Sequence, residues 1–414
     1  MRDVRMRGFA ERVDVEEVER FLERRVQALP SEPVPLGESA GRVLSEDVTA
    51  EVNVPGFARA AMDGYALRGE DTFGASAYNP LSLELIGEAL PGRPFAGTLG
   101  PGRAVRIMTG AAVPEGADAV SMAEVCQERD GRVEVREPVA PQKNVGAVGE
   151  DIQRGAVVLR AGRRLRPQDV GVLASIGVAE VDCVRRPRIE LLITGDELLP
   201  AGSRPEGCRI VDSNSVMLRA LVGRDGGEVL PFEILPDRPE AIRTALARDE
   251  ADVVLVSGGS SVGQEDHAPR ILAELGSLDF HGVSMRPSSP AGCGRVEGRW
   301  VFLLPGNPVS CLCAYEFFAG PSIRALGGRS RDWPQRRAHV PLARKIVSAV
   351  GRTDYVRVAI LDGRATPIAT SGASILSSTV RASGVVIVPR ELEGMSEGTT
   401  VEVLLYDDEF EVVS

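Results

Sequence analysis

The sequence predicts a multidomain protein in which an α/β domain lies between β-rich modules. Helices and strands alternate from residue 183 to residue 330, whereas the flanking regions contain short strand-like runs with many glycines and prolines. Short apolar strands between helices are typical of a mostly parallel sheet covered on both faces, which predicts a central three-layer α/β domain. The chain of 414 residues is also too long for one hydrophobic core, so several domains are expected.

The first amphipathic segment lies near the N-terminus. Residues 14–29 place Val15, Val18, Leu22, Val26 and Leu29 at spacings of three and four. This pattern predicts a helix, with Asp14 as its N-cap.

The domain boundaries follow from changes in composition and pattern. Runs such as "LSLELIGEAL" and "GRVEVREPV" indicate a β-rich module in the first half of the chain. The predicted regions are residues 1–50 (N-terminal helix and linker), 51–140 (inserted β-rich domain), 141–182 (completing an elongated domain with 1–50), 183–330 (α/β domain) and 331–414 (small C-terminal β domain).

Within the central domain, strand and helix patterns follow each other closely. The predicted strands are "RIELLIT", "EVLPFEIL", "ADVVLVS" and "RWVFLLP". The predicted helices are "SNSVMLRALVGRDGG", "RPEAIRTALARDE", "HAPRILAELG" and "PVSCLCAYEFFAG".

Composition excludes several classes of partner. The chain has 48 basic and 59 acidic residues, a net charge of −11, and both nucleic acid and anionic membranes favour basic surfaces. No apolar run approaches the roughly 20 residues of a spanning helix, and no signal-peptide core follows the charged N-terminus. We therefore expect a cytoplasmic protein without nucleic-acid or membrane partners.

Cysteine and histidine do not form a metal motif. The six cysteines lack the paired CxxC spacing of zinc sites, and the three histidines are widely separated. Cys311 and Cys313 lie two positions apart in a predicted helix and so point in different directions. We interpret most of the cysteines as buried free thiols.

Three loop motifs each follow an apolar strand of the central domain. They are "TGDEL" (Thr194–Leu198), "SGGSSVGQED" (Ser257–Asp266) and "LPGNPVS" (Leu304–Ser310). In an open parallel sheet, ligands bind beyond the carboxyl ends of the strands, which is where these loops are predicted to lie. We therefore expect the three loops to build one site.

The second of these loops combines glycines and hydroxyls with acids. Backbone N–H groups of Gly258, Gly259, Ser260 and Ser261 are suited to a phosphate, because glycine allows close approach. Carboxylates would repel that phosphate unless a divalent cation lay between them. The acids near the loops are Glu197, Asp237 and Asp266, and one or two carboxylates with substrate oxygens are typical ligands of Mg²⁺.

Each acid also has a purely structural interpretation. Glu197 is consistent with an acid at a helix N-terminus. Asp266 and Asp237 are each consistent with the N-cap of the helix that follows.

The motifs together identify a family resemblance. "AAMDGYAL", "RIMTGAAVPEGADAV", "GEDI", "TGDEL", "SGGSSVGQED" and "LPGNPVS" run in order over nearly the whole chain. This set resembles the molybdopterin molybdenumtransferase family, which includes the C-terminal domain of gephyrin. The resemblance implies a homodimer of four-domain subunits and a magnesium-assisted reaction in which adenylylated molybdopterin and molybdate give molybdenum cofactor and AMP.

The resemblance also implies roles for individual residues. The acids matching the family's catalytic positions are Glu197, Asp237, Asp266, Asp63 and Asp151, together with Thr109; the first three are also the candidate metal ligands. The N-terminal positions Asp63, Thr109 and Asp151 are expected to face the α/β domain of the other subunit. The candidate substrate-binding residues are Thr194, Gly195, Ser257, Gly258, Gly259, Ser260, Ser261, Gly263, Arg286, Pro305, Gly306, Asn307, Ser310, Arg357 and Ser374. Without the resemblance, Asp63 would be interpreted as a turn residue and Arg357 as a solvated strand charge.

One segment departs from the family pattern. Where members carry a "KPGKP"-like sequence, this chain has "MRPSSPAGCG" (Met285–Gly294), which keeps Arg286 but places Ser288 and Ser289 at the glycine and lysine positions. Gly282 replaces a further family lysine. Fewer cationic donors predict weaker molybdate binding.

Two function classes remain from the sequence. One is the molybdenum-inserting transferase, and the other is a catalytically weakened paralogue that acts as a scaffold or protein-binding module. A nucleotide-dependent oxidoreductase is disfavoured because no G-x-G-x-x-G opens a βαβ unit.

Overall fold

The structure is a computed structural model that describes residues 12–259, 267–369 and 372–407. The chain forms two compact units. The N-terminal unit comprises residues 33–40 and 44–182, and the α/β unit comprises the described parts of residues 1–32, 41–43 and 183–414.

The α/β unit contains most of the predicted helices and strands. Its helices up to residue 326 are α1 (Val15–Arg25), α2 (Asn214–Asp225), α3 (Pro239–Leu246), α4 (Ala268–Leu275), α5 (Pro308–Ala314) and, after a π-helical turn over Tyr315–Ala319, α6 (Gly320–Leu326). Its strands are β1 (Arg188–Thr194), β2 (Leu198–Leu199), β3 (Ile210–Val211), β4 (Glu228–Val229), β5 (Ile234–Leu235), β6 (Val253–Ser257), β7 (Ser277–His281), β8 (Met285–Arg286), β9 (Gly292–Val296) and β10 (Arg299–Leu304).

Seven of these strands form the main sheet, in the order β4-β1-β6-β10-β9-β7, with β5 also paired to β1. The pairs among β4, β5, β1, β6 and β10 are parallel. β9 runs antiparallel to both β10 and β7. Parallel register places Thr194, Ser257 and Leu304, which end β1, β6 and β10, at one edge of the sheet.

Alternate residues of the central strands pack into two different hydrophobic clusters, because successive side chains of a strand point to opposite faces. Leu191, Leu255 and Phe302 belong to a cluster that includes residues of α1, α2, α5 and α6. Leu192 and Val254 belong to a cluster that includes residues of α3 and α4. The central strands are therefore held in place from both sides.

Two local predictions were wrong. "EVLPFEIL" forms two short strands, β4 and β5, rather than one; Pro231 interrupts it because proline has no N–H for the ladder. Helix α1 ends at Arg25 rather than near Leu29, since Val26 is already extended. Asp14 occupies the N-cap position, as predicted. Its carboxylate makes no capping hydrogen bond and pairs with Arg390.

The C-terminal part of the α/β unit is a small β structure, as predicted. Its elements are β11 (Arg337–Pro341), β12 (Ile346–Val347), β13 (Thr353–Leu361), β14 (Arg364–Ala369), α7 (Ser377–Val380), β15 (Gly384–Val388), β16 (Gly394–Met395) and β17 (Thr400–Leu405). The sheet order is β8-β13-β15-β17-β11, with β14 also paired to β13. Strand β8 joins this sheet in parallel and places Arg286 opposite Asp354.

The N-terminal unit contains a six-stranded sheet. Its strands, in spatial order, are Ala119–Met122, Gly64–Leu67, Arg103–Ile107, Leu81–Ala89, Arg132–Val135 and Cys126–Arg129. The predicted runs "LSLELIGEAL" and "GRVEVREPV" are confirmed as strands that pair antiparallel. The same unit contains the helix Pro167–Ser175 and the paired short strands Val48–Thr49 with Val157–Leu159 and Arg59–Ala60 with Val145–Gly146. The remaining strands in the described part of the chain are Ser31–Pro35 and Glu180–Val184.

The cysteines agree with their interpretation from the sequence. All six are free thiols, and Cys183, Cys293, Cys311 and Cys313 are buried. Among the described residues, no helix is both long and apolar enough to cross a membrane.

Candidate functional site

A pocket of about 540 Å³ opens at the carboxyl ends of β1, β6 and β10. The predicted residues that line it are Thr194, Glu197, Asp237, Ser257, Gly258, Gly259, Gly306, Asn307 and Ser374. Residues from all three predicted loops therefore meet in one pocket. Ser260, Ser261, Gly263 and Asp266 lie outside the described residues.

The second loop needs glycine at its start for a steric reason. Gly258 has φ +99°, and a Cβ atom there would lie 2.3 Å from the carbonyl oxygen of Thr194. Gly306 of the third loop lies next to Gly258, since an added Cβ at Gly306 would lie 3.6 Å from the Gly258 Cα, which is ordinary van der Waals contact. The loops after β6 and β10 thus bring bare backbone together at the pocket.

Asn214, a pocket residue that the sequence analysis missed, connects two of these loops. Its Nδ2 donates to Ser257 Oγ at 2.9 Å and to the Gly306 carbonyl oxygen at 2.7 Å. Asp212 lines the same pocket, and its Oδ1 accepts from the Ser215 N–H at 3.1 Å. The signal in the sequence is the polar run "DSN" ahead of α2, which is typical of a helix start; the sequence analysis took Ser213 and Asn214 only as the beginning of the predicted helix.

Asp237 and Glu197 place two carboxylates at the pocket. Burial raises the pKa of the Asp237 carboxyl, and the neighbouring carboxylates of Glu197 and Asp196 act in the same direction. Asp237 Oδ1 is buried and, among the described residues, has no hydrogen-bond partner of normal geometry; the same holds for Thr194 Oγ1. The Thr194 side chain acts in the opposite direction on this pKa. A buried carboxylate oxygen without a well-formed hydrogen bond, next to a second carboxylate, fits a hard cation such as Mg²⁺.

The structural alternatives for these acids are wrong. The N-cap of α3 is Arg238, so Asp237 does not cap that helix. Glu197 precedes the short strand β2 and does not begin a helix. No cluster of three or more metal-binding side chains occurs in the described ranges, and two carboxylates with substrate oxygens remain sufficient for magnesium.

The remaining predicted residues of the three loops support the pocket without lining it. Gly195 donates its N–H to the Leu235 carbonyl at 3.3 Å. Pro305 and Ser310 are buried on either side of the exposed Gly306 and Asn307. The loop that contains Ser374 reaches the first turn of α5, where the Val309 N–H donates to the Ala373 carbonyl at 2.9 Å.

The segment that departs from the family pattern lies beside α5. Ser288 is 2% exposed, and its hydroxyl donates to the Ser310 carbonyl at 2.5 Å. That hydroxyl is therefore used within the fold. Ser289 Oγ is also buried and has no partner in the described part of the chain.

Two predicted arginines lie in this region, but neither lines the pocket. Arg286 Nη2 donates to Asp354 Oδ2 at 2.6 Å. Arg357 is 1% exposed, and burial lowers the pKa of its guanidinium.

The predicted N-terminal residues lie in the other unit. Asp63 Oδ1 accepts hydrogen bonds from both the N–H and the hydroxyl of Thr109, each at 2.7 Å. These bonds, the hydroxyl first, lower the pKa of Asp63. Asp151 is exposed and donates its N–H to the Val54 carbonyl at 3.1 Å.

Three family models match successive segments that together span most of the chain. The family described as "MoeA N-terminal region (domain I and II)" matches residues 13–177, "Probable molybdopterin binding domain" matches 190–325, and "MoeA C-terminal region (domain IV)" matches 339–406. A relative from Haemophilus influenzae, named molybdopterin molybdenumtransferase, is 34% identical over 393 residues, which are 93% of this chain and 96% of the relative.

This chain belongs to the molybdopterin molybdenumtransferase family. A second relative, molybdopterin molybdenumtransferase 2 of Mycobacterium tuberculosis, is 34% identical over 94% of this chain and 98% of its own length. Two crystal structures of MoeA proteins from Pyrococcus horikoshii superpose with TM-scores of 0.83 and 0.77, at 31% and 34% identity. Each comparison covers 96% of this chain and 100% of the solved chain. The resemblance seen in the motifs is confirmed, and the chain is a transferase of molybdenum cofactor biosynthesis.

Proposed function

We propose that this protein transfers molybdenum from molybdate to adenylylated molybdopterin and releases AMP, at the pocket beyond β1, β6 and β10. The observation that carries the proposal is the composition of this pocket, in which backbone of Gly258, Gly259 and Gly306 lies beside the carboxylates of Glu197 and Asp237. Bare backbone suits phosphate oxygens, whereas carboxylates suit a cation that accompanies them.

The shape of the site is maintained by groups that do not themselves react. Asn214 connects the end of β6 to the loop after β10 through its two hydrogen bonds. Ile193, Leu198 and Ile210 supply an apolar wall to the same pocket. A flat heterocyclic ring fits against such a wall, while its polar substituents face the loops.

We propose Glu197 and Asp237, with Asp266, as the residues that hold magnesium. Asp237 contributes a buried oxygen that makes no hydrogen bond of normal geometry with the described residues. When bound, magnesium would offset the charge of the substrate phosphates. The role of the acids is to orient the cation. Because a nearby positive charge favours the ionised carboxylate, the raised pKa of Asp237 is expected to return toward its usual range when a cation is bound.

We further propose that the functional unit is a homodimer in which Asp63, Thr109 and Asp151 of one subunit serve the pocket of the other. The support comes from the family resemblance of their motifs and from the two hydrogen bonds of Thr109 to Asp63, which hold the two side chains together.

The substitution Asp266→Asn tests the proposed function. It removes one negative charge while keeping the size of the side chain, so AMP release is expected to fall by at least about tenfold. Binding of Mg²⁺, measured by calorimetry in the presence of AMP, is expected to weaken in parallel. Circular dichroism checks that the fold is retained. AMP release at the wild-type rate by a folded variant would show that Asp266 has no part in the reaction.

A further inference from the structure

Asp212 places a third carboxylate at the pocket beyond β1, β6 and β10. The residue directly follows β3 and is only 4% exposed. Its N–H donates to the Leu199 carbonyl at 2.9 Å, next to the pairing of β2 with β3. The backbone of Asp212 is therefore held in place where β3 ends and α2 is about to begin.

Only one oxygen of this carboxylate is used within the fold. Asp212 Oδ1 accepts from the N–H of Ser215, in the first turn of α2, at 3.1 Å. Such a bond satisfies an N–H that the helix itself leaves free. Among the residues that the structure describes, none donates a hydrogen bond to Oδ2. Since buried polar groups nearly always have a partner, this oxygen is suited to a donor that a ligand brings into the pocket.

The carboxylate of Asp212 does not extend the proposed magnesium site. Three carboxylates line the pocket, those of Glu197, Asp212 and Asp237. In the described part of the chain, however, no group of three acidic, histidine or cysteine side chains is arranged to hold a metal ion. Asp212 is thus separate from the pair formed by Glu197 and Asp237, and it is available for a different contact.

The surroundings of Asp212 indicate which kind of group makes that contact. The preceding Ile210 and, with it, Ile193 and Leu198 form the apolar wall of the pocket, against which a flat heterocyclic ring fits. An ionised carboxylate can only accept hydrogen bonds. A ring that lies on this wall is therefore bound best if its edge carries N–H donors, as an amino-substituted ring does.

We propose that Asp212 is a specificity-determining residue that accepts a hydrogen bond from the amino-substituted edge of the bound heterocycle. The inference rests on the proposed function and adds a contact that selects the ring. Adenylylated molybdopterin contains two rings with an exocyclic amino group, the adenine and the pterin. Either ring supplies the same chemistry, and the ligand pairs below distinguish them.

The substitution Asp212→Asn separates this role from the support of α2. Asparagine keeps the size of the side chain and an oxygen for the Ser215 N–H, but it places an amide donor where the second carboxylate oxygen was. Thermal unfolding of Asp212→Asn is therefore expected to match that of the wild type. Asp212→Ala loses the bond to Ser215 as well and is expected to unfold at a lower temperature.

Calorimetric titration of the full chain with two pairs of ligands tests the proposal. One pair is AMP and purine riboside 5′-monophosphate, which lacks the amino group; the other is pterin and lumazine, in which an oxo group replaces the amino group. The wild type is expected to prefer the amino member of one pair by at least about tenfold, and Asp212→Asn is expected to reduce this preference to about twofold or less. The pair that is affected identifies the ring.

Asp249→Asn is the matched control for the titrations. It makes the same chemical change at an exposed position of the same unit, so the preference of the wild type is expected to be retained. A preference that persists in Asp212→Asn would show that another group selects the ring. A wild type that binds no member of either pair, or both members of each pair equally well, would likewise contradict the proposal.

Steady-state kinetics distinguishes ring recognition from a general structural effect. Asp212→Asn is expected to raise the KM for adenylylated molybdopterin about tenfold and to change kcat much less. A loss confined to kcat would contradict a role in binding the ring. If the wild type releases no AMP from adenylylated molybdopterin, the proposed function is wrong, whereas the ligand pairs still decide whether Asp212 binds an amino-substituted ring.

Discussion

At the scale of single residues, Asp237 shows a conflict between stability and function. Its carboxyl is partly buried near Glu197 and Asp196, and its pKa is raised, first by burial and then by these neighbours. Folding therefore favours the protonated form. This contribution to stability is full below the ordinary pKa of 3.8 and is lost as the pH rises through the raised value. At neutral pH the ionised carboxylate destabilises the ligand-free protein.

The substitution Asp237→Asn is accordingly expected to stabilise the ligand-free protein at pH 7, by up to about 1 kcal/mol. The difference from the wild type is expected to shrink as the pH is lowered. Urea unfolding followed by tryptophan fluorescence measures this, because Trp300 and Trp333 both pack in the core of the α/β unit.

Asp249→Asn is the control for this experiment, since Asp249 is exposed in the same unit, and no change is expected. A variant at position 237 that is less stable than the wild type at pH 7 would show that the carboxylate is well accommodated without a cation.

At the scale of elements, the turn after β6 illustrates how one glycine shapes the site. Gly258 combines φ +99° with a position where a Cβ would lie 2.3 Å from the Thr194 carbonyl oxygen. Gly258→Ala is therefore expected to lower the free energy of unfolding by more than about 1 kcal/mol and to displace the loop. Gly223→Ala is the matched control, because Gly223 lies inside α2 with nothing within 4 Å of an added Cβ.

The control substitution is expected to stabilise the protein by roughly 0.5–1 kcal/mol, since alanine favours a helix. Thermal unfolding of both variants gives the comparison. Equal effects of the two substitutions would mean that Gly258 is not required by the geometry of the turn.

Elements with a strong local pattern could be predicted from the sequence. Strands β1, β6 and β10 are apolar runs, and the glycines after β6 mark the turn that leaves the sheet. These features depend on the residues themselves. The loops were therefore located correctly at the carboxyl ends of the strands.

Other features depend on contacts that no local pattern contains. The antiparallel strands β7 and β9 pair across "GVSMRPSSPA", and neither strand was among those predicted from the sequence. Asn214 joins the pocket because its amide reaches Gly306, which is 92 positions away. The pairing of Arg286 and Asp354 likewise follows from the parallel contact of β8 with β13.

At the scale of the whole molecule, the central question is whether one chain is sufficient for a complete site. Asp63 and Thr109 belong to one unit, whereas Glu197 and Asp237 belong to the other. If the active sites are shared between subunits, mixing an Asp63→Ala subunit with a Glu197→Ala subunit leaves one intact site in each heterodimer.

Such a heterodimer is expected to recover up to about half of the activity of the wild-type dimer, because one of its two sites is complete. Differently tagged subunits allow the heterodimer to be purified before AMP release is measured. Each homodimeric variant serves as the control for residual activity. A verified heterodimer as inactive as its parents would show that each site is built within one chain.

The most direct test of the account is to measure AMP and molybdenum-bound pterin together in one reaction. Purified protein is incubated with adenylylated molybdopterin, molybdate and magnesium, and both products are quantified over time. The pocket described here predicts that the two products appear in equal amounts and that both require molybdate and magnesium. Release of AMP without incorporation of molybdenum, or no reaction at all, would contradict a molybdenum-inserting transferase at this site.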